Sequence, residues 1–185
     1  MSLRIIAGEL KGRALVAPPT AAELRPTSAR RREAVFDILR GRLGDFRGLR
    51  LVDLFAGTGA VGLEALSQGF EEVVFVENAS EAARLIRRNL EELGLQRRAR
   101  VMQNDATRLG PAPRAFDVAF LDPPYGRKLA ERCLTRLVAH GWLANEAVVL
   151  AELGKGDPFA PPAGLVVARE HGHGAGRLVR LAVAG

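Results

Sequence analysis

Leu51-Val52-Asp53-Leu54-Phe55-Ala56-Gly57-Thr58-Gly59-Ala60-Val61-Gly62 reads as a short buried strand that runs into glycines and then into the apolar-periodic stretch Val61, Leu63, Ala65 and Leu66. Strand, glycine loop and helix in that order place the free N–H groups of a helix start at the end of a sheet. The glycines let a ligand approach the main chain there. Gly57 to Gly62 also matches the G-x-G-x-x-G spacing of dinucleotide loops, a weak signal alone. Asp53, Phe55 and Ala56 before the glycines are less typical of that reading. Val73 to Val76 then forms a second buried strand ending in Glu77, about twenty residues after the glycines, where such folds grip ribose hydroxyls.

Working outward, Glu81 to Leu93 carries Ala82, Leu85, Ile86, Leu90 and Leu93 at helical spacing, with Gly94 as a C-cap. Ala99 to Gln103 and Phe116 to Leu121 read as a third and a fourth strand. Asp53, Glu77, Asp105 and Asp122 all fall at carboxyl ends of strands, the edge where ligands bind in an open, mostly parallel α/β sheet. Further on, the pattern predicts a helix over Lys128 to His140, a fifth strand over Ala147 to Glu152, and a closing pair, Leu165 to Arg169 with Leu178 to Val183. His171-Gly172-His173 is expected to form the hairpin turn between them. Toward the amino terminus, Leu3 to Ala7 and Arg13 to Val16 read as a small β-hairpin through Gly8 and Gly12. An amphipathic helix follows over Ser28 to Leu39, with Val35, Phe36, Ile38 and Leu39 inward and Arg30, Arg31 and Glu33 outward.

The fourth strand runs into Asp122-Pro123-Pro124-Tyr125. Each proline fixes φ, lacks an N–H and disfavours helical geometry in the residue before it, so the Asp122 and Pro123 carbonyls are held in an extended arrangement. A carboxylate, rigid carbonyls and an aromatic face are the groups that can hold a flat molecule by an exocyclic amine.

At 185 residues the chain is long enough for one substantial core, and it is read as a basic amino-terminal extension over 1–47 and a main domain over 48–185. With no apolar span near twenty residues and no signal-peptide core, a soluble cytoplasmic protein is expected, away from membranes. Cys133 stands alone and is expected to be buried, while His140, His171 and His173 form no zinc set, so no metal is expected. The net charge of +6 is concentrated: residues 1–47 hold ten Lys or Arg against five acids, a net of +5. By itself such a charge run is as well read as a solvated basic face, but beside a turn that can hold an exocyclic amine Arg4, Lys11, Arg13, Arg25, Arg30, Arg31 and Arg32 are the expected phosphate contacts of a nucleic-acid substrate.

The chain resembles class I S-adenosylmethionine-dependent methyltransferases, and more narrowly the bacterial small-subunit ribosomal RNA guanine-N2 methyltransferases of the RsmD type. The motifs that carry the likeness are Arg4-Ile5-Ile6-Ala7-Gly8 with Lys11-Gly12-Arg13, Arg25-Pro26-Thr27, Arg32 to Leu39, Asp53 to Gly69 and Phe116 to Gly126. The resemblance implies a Rossmann-like sheet of seven strands, one of them antiparallel, flanked by helices. It implies S-adenosylmethionine as cofactor, S-adenosylhomocysteine as product, and small-subunit rRNA or the small subunit itself as partner. It assigns Gly57 and Gly59, with Phe55 and Ala56, to the turn under the methionine moiety and Asp53 to its amino group. Glu77, followed by Asn78, would hold the ribose hydroxyls, and Asp105 and Ala106 the adenine. Asp122 and Pro123 would accept the N–H bonds of the target amine, and Tyr125 would stack on an unpaired or flipped base. Gln68 departs from the family pattern, which often has a basic residue there. A monomer is expected.

Three other readings stand beside this one: an adenine-N6 or other nucleic-acid amine methyltransferase, a nicotinamide-dependent oxidoreductase built on the glycine loop, and an RNA-binding ribosome assembly factor without turnover. The oxidoreductase lacks a recognisable hydride-site acid/base pair. An intact glycine loop and Asp-Pro-Pro-Tyr sit poorly with the non-enzyme.

Overall fold

The computed structural model describes residues 3–17, 28–173 and 176–185. Helices α1 (Ala29–Leu43), α2 (Ala60–Ser67), α3 (Ser80–Leu93) and α4 (Leu129–Ala139) alternate with strands β1 (Arg50–Leu54), β2 (Glu72–Glu77), β3 (Ala99–Gln103), β4 (Phe116–Leu121) and β5 (Leu143–Gly154). Strands β6 (Leu165–His173) and β7 (Gly176–Val183) close the chain. One seven-stranded sheet results, in the order β3-β2-β1-β4-β5-β7-β6. It is parallel from β3 to β5, and β7 runs antiparallel to both neighbours. The strand order reverses between β1 and β4, which opens a crevice at their carboxyl ends.

Each face of the sheet carries its own core. Leu51, Phe75, Val118, Phe120 and Leu150 pack with Val35, Phe36 and Leu39 of α1, Leu63 and Leu66 of α2 and Ile86 of α3. Val52, Val74, Ala119, Leu121 and Val149 pack on the other face with Cys133, Leu134 and Leu137 of α4 and with Trp142. Burial holds the Cys133 thiol far above its usual pKa, as a small apolar residue requires. Gly62 is dictated by this packing, since a Cβ there would overlap the edge of the Phe75 ring.

The amino-terminal segment pairs antiparallel as the expected hairpin, but over a shorter ladder. Among the described residues, Arg4 and Ala14 form its one β-bridge, flanked by Ile5 N–H to the Arg13 carbonyl at 3.0 Å and Leu15 N–H to the Leu3 carbonyl at 2.8 Å. The ladder stops because the next donors turn to α2. Ile6 and Ala7 N–H donate to the two oxygens of Glu64 at 2.9 and 2.8 Å. Gly8, at φ +82°, lies so close to the last turn of α2 that a Cβ would overlap the Ser67 carbonyl. Val16 is held in turn by Asn89 of α3, which accepts from its N–H at 2.7 Å and donates to its carbonyl at 3.1 Å.

A second difference concerns His171-Gly172-His173. These residues belong to β6, paired with Leu178, Arg177 and Gly176, so the sheet ladder extends through the glycine. Among the described residues, no helix is long and apolar enough to cross a membrane.

Candidate active site

The glycine loop leaves β1 through two kinds of left-handed backbone. Phe55 has φ +58°, which costs energy for a residue with a Cβ, and Gly57 and Gly59 follow at +55° and +73°. Gly59 caps α2 without a side-chain hydrogen bond, and among the first N–H groups of the helix that of Gly62 is taken by Asp53. Glu77 fastens the loop from the neighbouring strand: its two oxygens accept from Gly57 N–H and Ala79 N–H, both at 2.8 Å. An ionised carboxylate has about four acceptor positions, so Glu77 keeps capacity for a ligand's hydroxyls. Asn78 is exposed beside it.

Asp53 is buried under the loop and accepts from Gly62 N–H at 2.9 Å. Burial pushes its carboxyl well above the usual range against that one hydrogen bond, and the charges of Asp122 and Glu77 push it the same way. Three acids thus crowd one crevice, an environment that favours a cationic ligand. Asp105 caps a short turn at Ala106–Arg108 by accepting from both Thr107 N–H and Thr107 Oγ1 at 2.8 Å. Its desolvation is outweighed by those bonds and by the charges of Arg108 and Arg132, so its carboxyl lies below the usual range. Ala106 is buried next to it.

On the other side of the switch point, Asp122 follows β4, and its N–H reaches back to the Leu54 carbonyl at 3.4 Å. The turn carries Tyr125 to Glu152 of β5, with the phenol donating to Glu152 Oε1 at 2.9 Å. Burial, then the charge of Glu152 and its bond to the phenol, push Tyr125 up to about 12, so it acts as a donor and not as a base. A cleft lined by Pro123, Tyr125, Arg127, Lys128, Glu152 and Asp157 opens beside this turn, and Asp53, Glu77 and Asp105 do not line it.

The basic residues divide sharply. Arg4, Lys11, Arg13 and Arg30 are exposed, while Arg25 lies outside the described residues. Arg31 and Arg32 turn inward, against the expectation that they contact phosphate. Arg31 Nη1 pairs with the buried Glu152 Oε1 at 2.8 Å. Arg32, 1% exposed, donates from Nη2 to the Arg4 carbonyl at 2.7 Å and stands 3.8 Å from Glu64. Amphipathic spacing puts Arg31 on the outer face, but α1 lies on one face of the sheet, where Arg31 meets Glu152 of β5 and Arg32 meets Glu64 of α2.

Two acids escaped the sequence reading of the site. In the sequence Glu64 stands out only as a member of the Asp53 to Gly69 motif. Glu152 ends the apolar run Val148 to Ala151 just as Glu77 ends its own strand, and that repeated pattern was the available signal. Gln68 bridges Arg40, which donates to its Oε1 at 2.6 Å, and Glu64, to which its Nε2 donates at 3.1 Å. A neutral donor and acceptor suits that position better than a cation.

A family model described as Conserved hypothetical protein 95 matches residues 3–181. Ribosomal RNA small subunit methyltransferase D of Escherichia coli K12 is 35% identical over 150 residues, covering 81% of this chain and 74% of that protein. YlbH of Bacillus subtilis, provisionally named an rRNA methyltransferase, is 37% identical over 154 residues, covering 81% and 82% respectively. Among solved structures, an Escherichia coli protein provisionally named methyltransferase yhhF superposes with a TM-score of 0.85 over 100% of this chain and 99% of that one, at 29% identity.

Proposed function

The chain belongs to the family described as Conserved hypothetical protein 95, the RsmD-type methyltransferases, and from that premise we propose that it methylates the exocyclic N2 amine of a guanine in small-subunit rRNA, on an assembled or partly assembled subunit. Membership makes it an rRNA methyltransferase that uses S-adenosylmethionine. The observation that supports methylation of an exocyclic amine is the pairing, across one switch point, of a crowded acidic crevice under a glycine loop with an Asp-Pro-Pro-Tyr turn, and the choice of guanine follows the likeness to the RsmD type.

The residues present suit the cofactor. Asp53, whose charge is disfavoured by burial and by Asp122 and Glu77, gains most from a cationic amino group. Glu77 would take the ribose hydroxyls with its remaining lone pairs, Asn78 lies alongside, and Asp105 with Ala106 would border the adenine. When bound, S-adenosylmethionine supplies a methyl group on a sulfonium, whose sulfur leaves with the bonding pair. The remaining demands fall on the protein. The lone pair of a guanine amine is delocalised into the ring, and Asp122 with the Pro123 carbonyl would accept its two N–H bonds and localise that pair toward the methyl group. As the N–C bond forms, the surplus proton passes to Asp122 or water. Tyr125 would stack on the base with its phenol tethered to Glu152. A paired guanine cannot present this amine inside a closed site, so the base would be unpaired or flipped.

The exposed cations Arg4, Lys11, Arg13 and Arg30 would hold rRNA phosphates, making residues 1–47 an RNA-binding extension of a catalytic unit over 48–185. Mapping the product tests the proposal. Small-subunit particles and free rRNA are incubated with the enzyme and cofactor, digested to nucleosides and analysed by mass spectrometry. N2-methylguanosine, formed faster on particles, is the expected result. N6-methyladenosine would replace the guanine reading with the adenine one.

A further inference from the structure

Glu152 presents a carboxylate with one oxygen fully engaged and the other idle. Oε1 accepts from Arg31 Nη1 at 2.8 Å and from the Tyr125 phenol at 2.9 Å, which fixes the orientation of the group. Oε2 is buried with no hydrogen-bond partner among the described residues. A buried acceptor left unmatched is costly in any fold and is tolerated where a ligand supplies the donor. The residue's position supports that explanation. On the parallel pair β4 and β5, Leu121 faces Ala151, so Asp122 and Glu152 each stand one residue further along adjacent strands. Both carboxylates act on the Tyr125 phenol, and Glu152 lines the cleft beside the turn.

We propose that Glu152 is a specificity residue that accepts the N1–H of the target guanine through Oε2 while Asp122 and Pro123 hold the neighbouring N2 amine. This rests on the guanine-N2 reading. On the edge of guanine the N2 amine is flanked by N1–H, a donor. The ring nitrogen N1 next to the amine of adenine carries a lone pair instead, and a pinned carboxylate repels it. A polar group built to meet a substrate donor rejects the analogue that lacks it more strongly than shape alone can, because the protein group is then left unpaired. Glu152 would therefore separate the two amines that an Asp-Pro-Pro-Tyr turn by itself could serve.

The probe is 2-aminopurine, which keeps the exocyclic amine of guanine but has a bare N1. Small-subunit particles carrying guanine or 2-aminopurine at the methylated position are compared by kcat/KM. Wild type should prefer guanine by about 100-fold, in line with a lost hydrogen bond to a charged group. Glu152→Gln keeps an oxygen for Tyr125 and offers an amide N–H to the bare N1. It should lose about 10-fold or more on guanine and shrink the preference toward unity, with cofactor affinity unchanged. Tyr125→Phe, which leaves Oε2 in place, should slow both substrates alike and keep the preference. An unchanged preference in Glu152→Gln, whether both rates fall together or neither does, overturns the proposal and leaves Glu152 a tether for Tyr125. The wild-type product distinguishes the two levels of failure: methylated adenine removes the guanine reading itself, whereas N2-methylguanine with an unaltered ratio removes only the role of Glu152.

Discussion

Arg32 and Glu64 face each other at 3.8 Å, both almost wholly buried, and between them they join α1, α2 and the amino-terminal turn. Arg32 also holds the Arg4 carbonyl, and Glu64 also holds the Ile6 and Ala7 N–H groups. Burial lowers the Arg32 pKa, an effect the charges of Glu64 and Glu33 oppose. Glu64→Ala would strand a buried guanidinium and two backbone donors together. It is expected to cost about 3 to 5 kcal/mol, as for breaking one side of a buried ion pair. Chemical denaturation reads the loss, and amide exchange at Ile6 and Ala7 should accelerate with it; slow exchange at those amides in the variant would show that another group holds the segment.

Asp53 makes stability depend on pH with a definite sign. Its folded pKa lies above the unfolded value of about 3.9, so its contribution is fully present below that value and is lost as pH rises through the raised one. Asp53→Asn should therefore match wild type in acid and gain over it as pH climbs to neutral, each kcal/mol appearing as about 2 to 4 °C in Tm. Affinity for S-adenosylmethionine should fall in the same variant. A constant difference in Tm from pH 4 to 8 would mean that Asp53 ionises as freely in the fold as in the unfolded chain.

Glu77 has two duties, tying Gly57 and Ala79 and offering acceptors to the ribose. Its replacement by alanine should weaken cofactor binding by about 1.5 to 3 kcal/mol, the range for hydrogen bonds to a charged acceptor. Isothermal titration with S-adenosylhomocysteine measures this, and an unchanged affinity would move the ribose contact elsewhere.

For Asp122→Ala the expected pattern is reversed. Cofactor titration should be nearly unaffected while methyl transfer falls by about two orders of magnitude or more, the scale of a lost positioning and electrostatic contact. Full activity in this variant would exclude Asp122 from the mechanism.

The sheet was legible where its strands are apolar runs with sharp ends, as in β4, which begins and stops at the residues that the pattern marks, whereas β5 starts at Leu143, four residues before the apolar run at Ala147. Asp53, Glu77 and Asp122 were legible for the same reason, as each interrupts a hydrophobic run, whereas Asp105 follows the polar pair Gln103-Asn104. What local pattern could not reveal was which partner a polar residue chooses across the fold. The Ile6 and Ala7 amides look like hairpin donors until Glu64, 58 and 57 residues away, is seen to take them. Arg31 and Arg32 look like part of a basic face until Glu152 and Glu64 draw them in. The packing of α1 against β5 and α2 decides these contacts, and helical spacing in α1 does not encode it.

That division of the arginines sharpens the last prediction, which separates RNA binding from folding. Arg4, Lys11 and Arg13 are exposed, although Arg4 and Arg13 each give one N–H to a backbone carbonyl, of Gly12 and Glu92. If they hold rRNA phosphates, neutralising all three should weaken RNA binding and flatten its salt dependence by about two to three units of slope, at roughly 0.7 to 0.9 per contact. Cofactor affinity should not move, because the glycine loop and its acids begin at Asp53 and exposed charges are screened beyond about 8 Å at physiological salt. Arg32→Ala should behave oppositely. Its guanidinium is internal, so the variant should lose thermal stability and keep the wild-type slope. Fluorescence-anisotropy titrations of an rRNA fragment at several salt concentrations decide between these behaviours. Parallel lines for wild type and the triple variant would make the exposed cations an ordinary solvated face, and phosphate recognition would then fall to Arg127 and Lys128 beside the Asp-Pro-Pro-Tyr cleft.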